Sequence, residues 1–101
     1  MADNFAIRYL PVAIDDLLSI FDWIAADNRS KAASFLDSLD ERIRILSSNP
    51  RIGRVPRQED LKRLGYHVMV IDSYLVFYII RGSTVEIHRV LHGSRNLEDI
   101  L

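Results

Sequence analysis

Apolar residues recur along this chain in two rhythms, and the places where the rhythm changes mark out its elements. Phe5, Ile7 and Tyr9 fall at every second position and the run stops at Pro11, which predicts a strand over Phe5 to Leu10. From Ile14 the spacing becomes three and four, through Leu17, Leu18, Phe21, Ile24 and Ala25, with Asp15, Asp16 and Ser19 off that stripe. This is the pattern of a helix with one buried face. Asp27-Asn28-Arg29-Ser30 breaks the stripe and offers side chains that cap a second helix. That helix is expected to run to about Ser48 on Ala32, Phe35, Leu36, Leu39, Ile43 and Leu46, and Asn49-Pro50 ends it. So short a link implies an antiparallel helical hairpin.

Residues 51 to about 60 contain Gly53, Pro56 and few apolar side chains, and they read as a surface loop. Three strands are expected next, over Lys62 to Ile71, Tyr74 to Arg81 and Thr84 to Leu91. The links Asp72-Ser73 and Gly82-Ser83 are tight-turn pairs, so these strands form an antiparallel meander. The expected fold is a single α+β domain over residues 1–101. An N-terminal strand leads into the helical hairpin, which packs on one face of an antiparallel sheet completed by the three-stranded meander. Tyr74, Val76, Tyr78 and Ile80 alternate with Leu75, Phe77 and Ile79, so the middle strand is apolar on both faces. Two helices cover one face only, and a partner chain is the expected cover for the other.

Composition narrows the chemistry. With 101 residues and no cysteine, the chain builds one core without disulfides, thiolate nucleophiles or cysteine-ligated zinc, and it fits a reducing compartment. It has no basic-then-apolar leader pattern, and its longest apolar run, Tyr74 to Ile80, is too short to span a bilayer. The cytoplasm is the expected location, with no membrane partner. Net charge is -1, unevenly spread: five Lys and Arg against eight Asp and Glu in residues 1–50, eight against six in residues 51–101. Arg51, Arg54, Arg57, Lys62 and Arg63 crowd into thirteen positions and can face phosphates or an acidic partner.

Metal and nucleotide chemistry find little support. His88 and His92 lie on one face of a regular strand but roughly 13 Å apart, too far to share a metal, and no metal or cofactor is expected. No Gly-x-Ser-x-Gly elbow is present, and glycines at 53, 65, 82 and 93 build no phosphate loop. Metal-free RNA cleavage needs a base, an acid and cations around the phosphate. Arg63, Arg89, His92 and Arg95 are the residues able to supply cations and a proton donor. Arg89 shares parity with Val85, Ile87 and Leu91, which suits a structural ion pair to the helices equally well.

Several segments taken in order resemble the RelE/ParE superfamily of toxins from type II toxin-antitoxin pairs. They are the strand into Pro11, Phe21-Asp22-Trp23-Ile24, Leu46 through Arg54, Leu64-Gly65-Tyr66, Tyr74 through Tyr78, and Val85 through Arg95. The last of these is similar to the ParE-like branch. Related ribosome-dependent mRNA endonucleases carry arginine directly after the strand tyrosine, where this chain has Leu75, and end in a tyrosine-bearing basic segment, where it has Leu97-Glu98-Asp99-Ile100-Leu101. The resemblance therefore implies a toxin that binds its target, DNA gyrase, and is neutralised in a hetero-oligomer with a cognate antitoxin. The alternatives are an endonuclease acting on ribosome and mRNA, with Arg63, His92 and Arg95 as its catalytic residues, or a module that only binds its antitoxin. Target contacts are expected at Arg54, Arg57, Arg63, Arg89, His92 and Arg95, and antitoxin contacts at Tyr74, Val76, Tyr78, Leu97 and Leu101.

Overall fold

Pro11 ends the first strand and begins the first helix in one step, because its fixed backbone angle suits the first helical turn and it has no N–H to leave unpaired there. In the computed structural model, which describes residues 4–93, β1 spans Ala6–Tyr9 and α1 spans Pro11–Ala25. The helix α2, Arg29–Ile43, starts at Asn28, whose side chain accepts the backbone N–H of Lys31 at 3.0 Å. A 3₁₀ turn, Arg44–Ser47, follows where the sequence suggested continuous helix. It is clamped to the N-terminal strand, with Phe5 N–H donating to Ser47 O at 2.8 Å and Ser47 Oγ donating to Phe5 O at 2.8 Å.

The chain after the loop departs from expectation. Residues Glu59–Arg63 form a short helix, α3, and the next strand, β2, begins only at Tyr66 and ends at Ile71. Glu59 and Asp60 at its start and Lys62 and Arg63 at its end complement the helix dipole, which favours a helical turn over the expected strand. The strands β3, Tyr74–Arg81, and β4, Thr84–His92, follow closely the predicted meander. Asp72 (φ 53°) and Gly82 (φ 58°) take the left-handed conformation that these tight turns require.

The sheet order is β1-β4-β3-β2. The β2–β3 and β3–β4 pairs are antiparallel, but β1 runs parallel to β4, so the sheet is mixed rather than wholly antiparallel. Alternation within a strand carries no information about pairing with a strand some eighty positions away. β1 covers β4 only from Thr84 to Ile87, so among the described residues no strand pairs with the far half of β4 on that side.

Both faces of β3 are apolar, as the alternation indicated. Ile71, Val76, Tyr78, Val85, Ile87 and Val90 form the main core with Ala13, Ile20, Leu39, Ile43 and Leu46 of the helical layer. A second cluster, Leu61, Val68, Phe77 and Leu91 with Tyr66 and Leu75 against it, lies on the opposite face. Leu61 comes from α3, so this unforeseen helix covers part of the face that the sequence left open. Burial of side chains the size of Phe77 and Tyr78 contributes on the order of 2 kcal/mol each.

One irregularity redirects the end of β4. Phe77 pairs with Arg89 but Tyr78 pairs with Ile87, so His88 is an extra residue in the ladder. The bulge breaks the simple parity of the strand. Val85 and Ile87 face the helices, whereas Arg89 and Leu91 pair with Phe77 and Leu75 and take the second face. His92 pairs with Tyr74 on the helical side, so His88 and His92 do not share a face.

Candidate functional site

The half of β4 beyond the reach of β1 is the first place where polar chemistry is concentrated. Asp16 of α1 accepts Arg89 Nε and the backbone N–H of Val90 on its Oδ2, at 2.8 and 3.0 Å, and a second Arg89 nitrogen on its Oδ1 at 2.9 Å. One carboxylate thus closes an edge N–H that β1 does not reach and holds the helix to the strand. The hydrogen bond that Arg89 donates to Asp16 holds its guanidinium protonated even more firmly than usual. Arg89 was a candidate target contact, and its geometry is that of a structural tether.

Beside this pair runs a groove of about 600 Å³, lined by Asp16, Ser19, Ile20, Trp23, Tyr74, Val90, Leu91 and His92. His92 packs edge-on against Tyr74, ring centroids 5.4 Å apart. Trp23 is 79% exposed at the groove wall. Sequence reading missed it as a functional candidate, although its position between Ile20 and Ile24, just off the buried stripe, was a usable signal.

The basic loop lies along the free edge of β2. Arg54 exchanges two backbone hydrogen bonds of 2.8 Å with Val68, and Tyr78 Oη accepts the Gly53 N–H at 2.9 Å. A Cβ on Gly53 would stand 2.5 Å from that hydroxyl, so only glycine permits the approach. Tyr78 is buried, and burial pushes its phenol pKa up. Arg54 and Arg57 are exposed on this anchored loop, and Arg63 of α3 pairs with Asp60 at 3.1 Å.

On the second face the bulge brings His88 between two partners. Its Nδ1 is 3.0 Å from Tyr66 Oη and its Nε2 is 3.3 Å from Glu86 Oε1, which also accepts Arg81 Nε at 2.8 Å. The hydrogen bond from Arg81 holds Glu86 below the usual carboxylate range, and burial pushes the Tyr66 phenol up. The cluster ties three strands together.

Of the nuclease candidates, the structure places Arg63 and His92 on opposite faces of the sheet. His92 faces the α1 groove on the helical side, while Arg63 belongs to α3, which packs on the other face. Arg95, Leu97 and Leu101 lie outside the described residues. Of the expected antitoxin contacts, Tyr74 is half-buried at the groove, but Val76 and Tyr78 are 0% exposed beneath the helices. Those two expectations are corrected: the face they occupy is the one the helical hairpin covers. Among the described residues no three His, Asp or Glu side chains gather to hold a metal ion, and no helix is long and apolar enough to cross a membrane.

A helical hairpin on a four-stranded mixed sheet, with a groove beside β4 and a basic loop, defines the class as a small α+β domain. The family described as the ParE toxin of the type II toxin-antitoxin system parDE matches residues 7–97, and the chain belongs to it. The fold is also that of a chain in the chromosomal ParDE toxin-antitoxin system from P. aeruginosa, with a TM-score of 0.74 and 17% identity over 89% of this chain and 97% of that one. A chain of the toxin-antitoxin complex RelBE2 from Mycobacterium tuberculosis has a TM-score of 0.61 and 26% identity over 88% of this chain and 98% of that one. No curated protein matches in sequence.

Proposed function

We propose that the chain is a ParE-like toxin that acts in the cytoplasm by binding DNA gyrase and is held inactive in a hetero-oligomer with its cognate antitoxin. The observation that carries the choice of binding over catalysis is the setting of Leu75. Where the related endonucleases carry arginine, Leu75 packs against the apolar cluster of Phe77, Leu91, Val68 and Leu61. An apolar patch offers no stabilisation to a scissile phosphate. In this reading Arg54, Arg57 and Arg63 supply the exposed cations of the target surface, with His92 and Arg95 at the strand end, and the antitoxin takes the side carrying Tyr74, Leu97 and Leu101.

The ribosome-dependent mRNA endonuclease reading has one specific support, the 26% identity with a chain of the RelBE2 complex. Expression of the chain alone, with plasmid supercoiling followed beside primer extension on translated mRNA, separates the two. Codon-linked mRNA cuts with undisturbed DNA favour the endonuclease. Normal growth with neither change favours a module that only binds its antitoxin.

A further inference from the structure

Trp23 is the chain's one tryptophan, and it stands almost wholly in water on α1. It walls two concavities at once. One is the α1–β4 groove with Ile20, Tyr74 and Leu91, and the other, of about 430 Å³, is lined by Ile24, Asp27, Lys31 and Phe35. A large rigid aromatic group between two apolar hollows has the anatomy of an interface anchor, where tryptophan contributes most when a partner removes water from both sides.

Charge narrows the occupant. α1 carries Asp15, Asp16 and Asp22 and neither lysine nor arginine, and Asp27 follows directly. Asp16 is engaged by Arg89, but no ion pair among the described residues engages Asp15, Asp22 or Asp27. Among the described residues, Lys31 is the one lysine or arginine lining either hollow. The matching surface is apolar where it meets Trp23 and positive at its flanks, and a Lys or Arg laid over the indole gains a cation–π contact as well.

We propose that the groove centred on Trp23 receives a cationic amphipathic segment of a partner protein, its large apolar side chains on Trp23 and its Lys or Arg beside Asp22 and Asp27. Only the naming of that partner as the antitoxin rests on the toxin reading. The surface and its preference for a basic segment stand on α1 itself.

The full chain provides its own probe, since all tryptophan emission comes from Trp23. It is titrated with a helical leucine-lysine peptide of about 18 residues, five turns, and with a leucine-glutamate peptide of the same apolar pattern. The leucine-lysine peptide shifts the emission to the blue and saturates, and the acidic peptide does not bind. Trp23→Ala and the double variant Asp22→Asn, Asp27→Asn each weaken the basic peptide by about tenfold in calorimetry without moving the unfolding midpoint. Equal binding of both peptides, or affinity unchanged in these variants, overturns the proposal. So does a chain ending at Gly93 that alone binds the peptide, which would give the groove to residues 94–101, or self-association abolished by Trp23→Ala, which would give it to a second copy. Growth arrest and its relief by the antitoxin are scored separately, so failure of the toxin reading is distinguishable from failure of this one.

Discussion

Asp16 and Arg89, 73 positions apart in sequence, form a two-pronged ion pair whose shared oxygen also caps the edge N–H of Val90. This pair joins the first helix to the last strand where β1 no longer reaches. Asp16→Ala removes the carboxylate that accepts from both the Arg89 guanidinium and the Val90 N–H, at a contact where the Arg89 and Asp16 side chains are 20% and 13% exposed. The expected loss is about 2 kcal/mol, partial exposure tempering the cost of a fully buried pair. Asp16→Asn, which keeps an acceptor for Val90, loses less. Urea unfolding midpoints measure both, and an unchanged midpoint for Asp16→Ala would show the tether to be idle.

The basic loop depends on a close approach. In Gly53→Ala the new Cβ would meet Tyr78 Oη at 2.5 Å and Val68 O at 2.9 Å, so the loop must move off β2. Amide exchange should quicken at Arg54 and Val68, whose mutual bonds close the bridge. Tyr78→Phe removes only the hydroxyl and should cost about 1 kcal/mol. Unaltered exchange at both amides in Gly53→Ala would refute the anchoring.

Acid should loosen the strand cluster. Glu86 has a folded-state pKa held below its ordinary 4.5, first by the hydrogen bond from Arg81. Its contribution is therefore complete above about that value and fades as pH falls through the lower, folded one. Thermal melts from mildly to strongly acid pH should drop less steeply for Glu86→Gln than for the parent. Parallel curves would remove Glu86 from the account.

The alkaline limb has the opposite sign. Tyr9 donates to Asp40 Oδ1 at 2.8 Å, and its burial pushes the phenol pKa well above the ordinary value, with that hydrogen bond adding to it. The unfolded phenol ionises near pH 10 while the folded one resists, so stability present below about 10 declines as pH rises toward the folded value. Tyr9→Phe should make that decline shallower in melts at alkaline pH, and an identical slope counts against it.

Local rhythm carried much of this fold. β3 was legible from Tyr74 to Arg81 because tight-turn residues flank it on both sides, and α1 and α2 were legible from their apolar stripes. α3 was not, since a five-residue helix shows too little periodicity inside a charged run. The bulge at His88 was invisible because parity assumes an unbroken ladder, and so Arg89 was placed on the wrong face while its role as a tether was foreseen. Val76 and Tyr78 were misjudged for a related reason. Alternation shows that a strand has two apolar faces but not which one the helices take.

The toxin reading is tested most directly with purified DNA gyrase, relaxed plasmid and the isolated chain. Supercoiling should be inhibited with rising concentration of the chain, less so for Arg54→Ala, Arg57→Ala, Arg63→Ala combined, and restored when the antitoxin is added. Full supercoiling at every concentration, together with cleavage of ribosome-bound mRNA by the same preparation, would contradict the account.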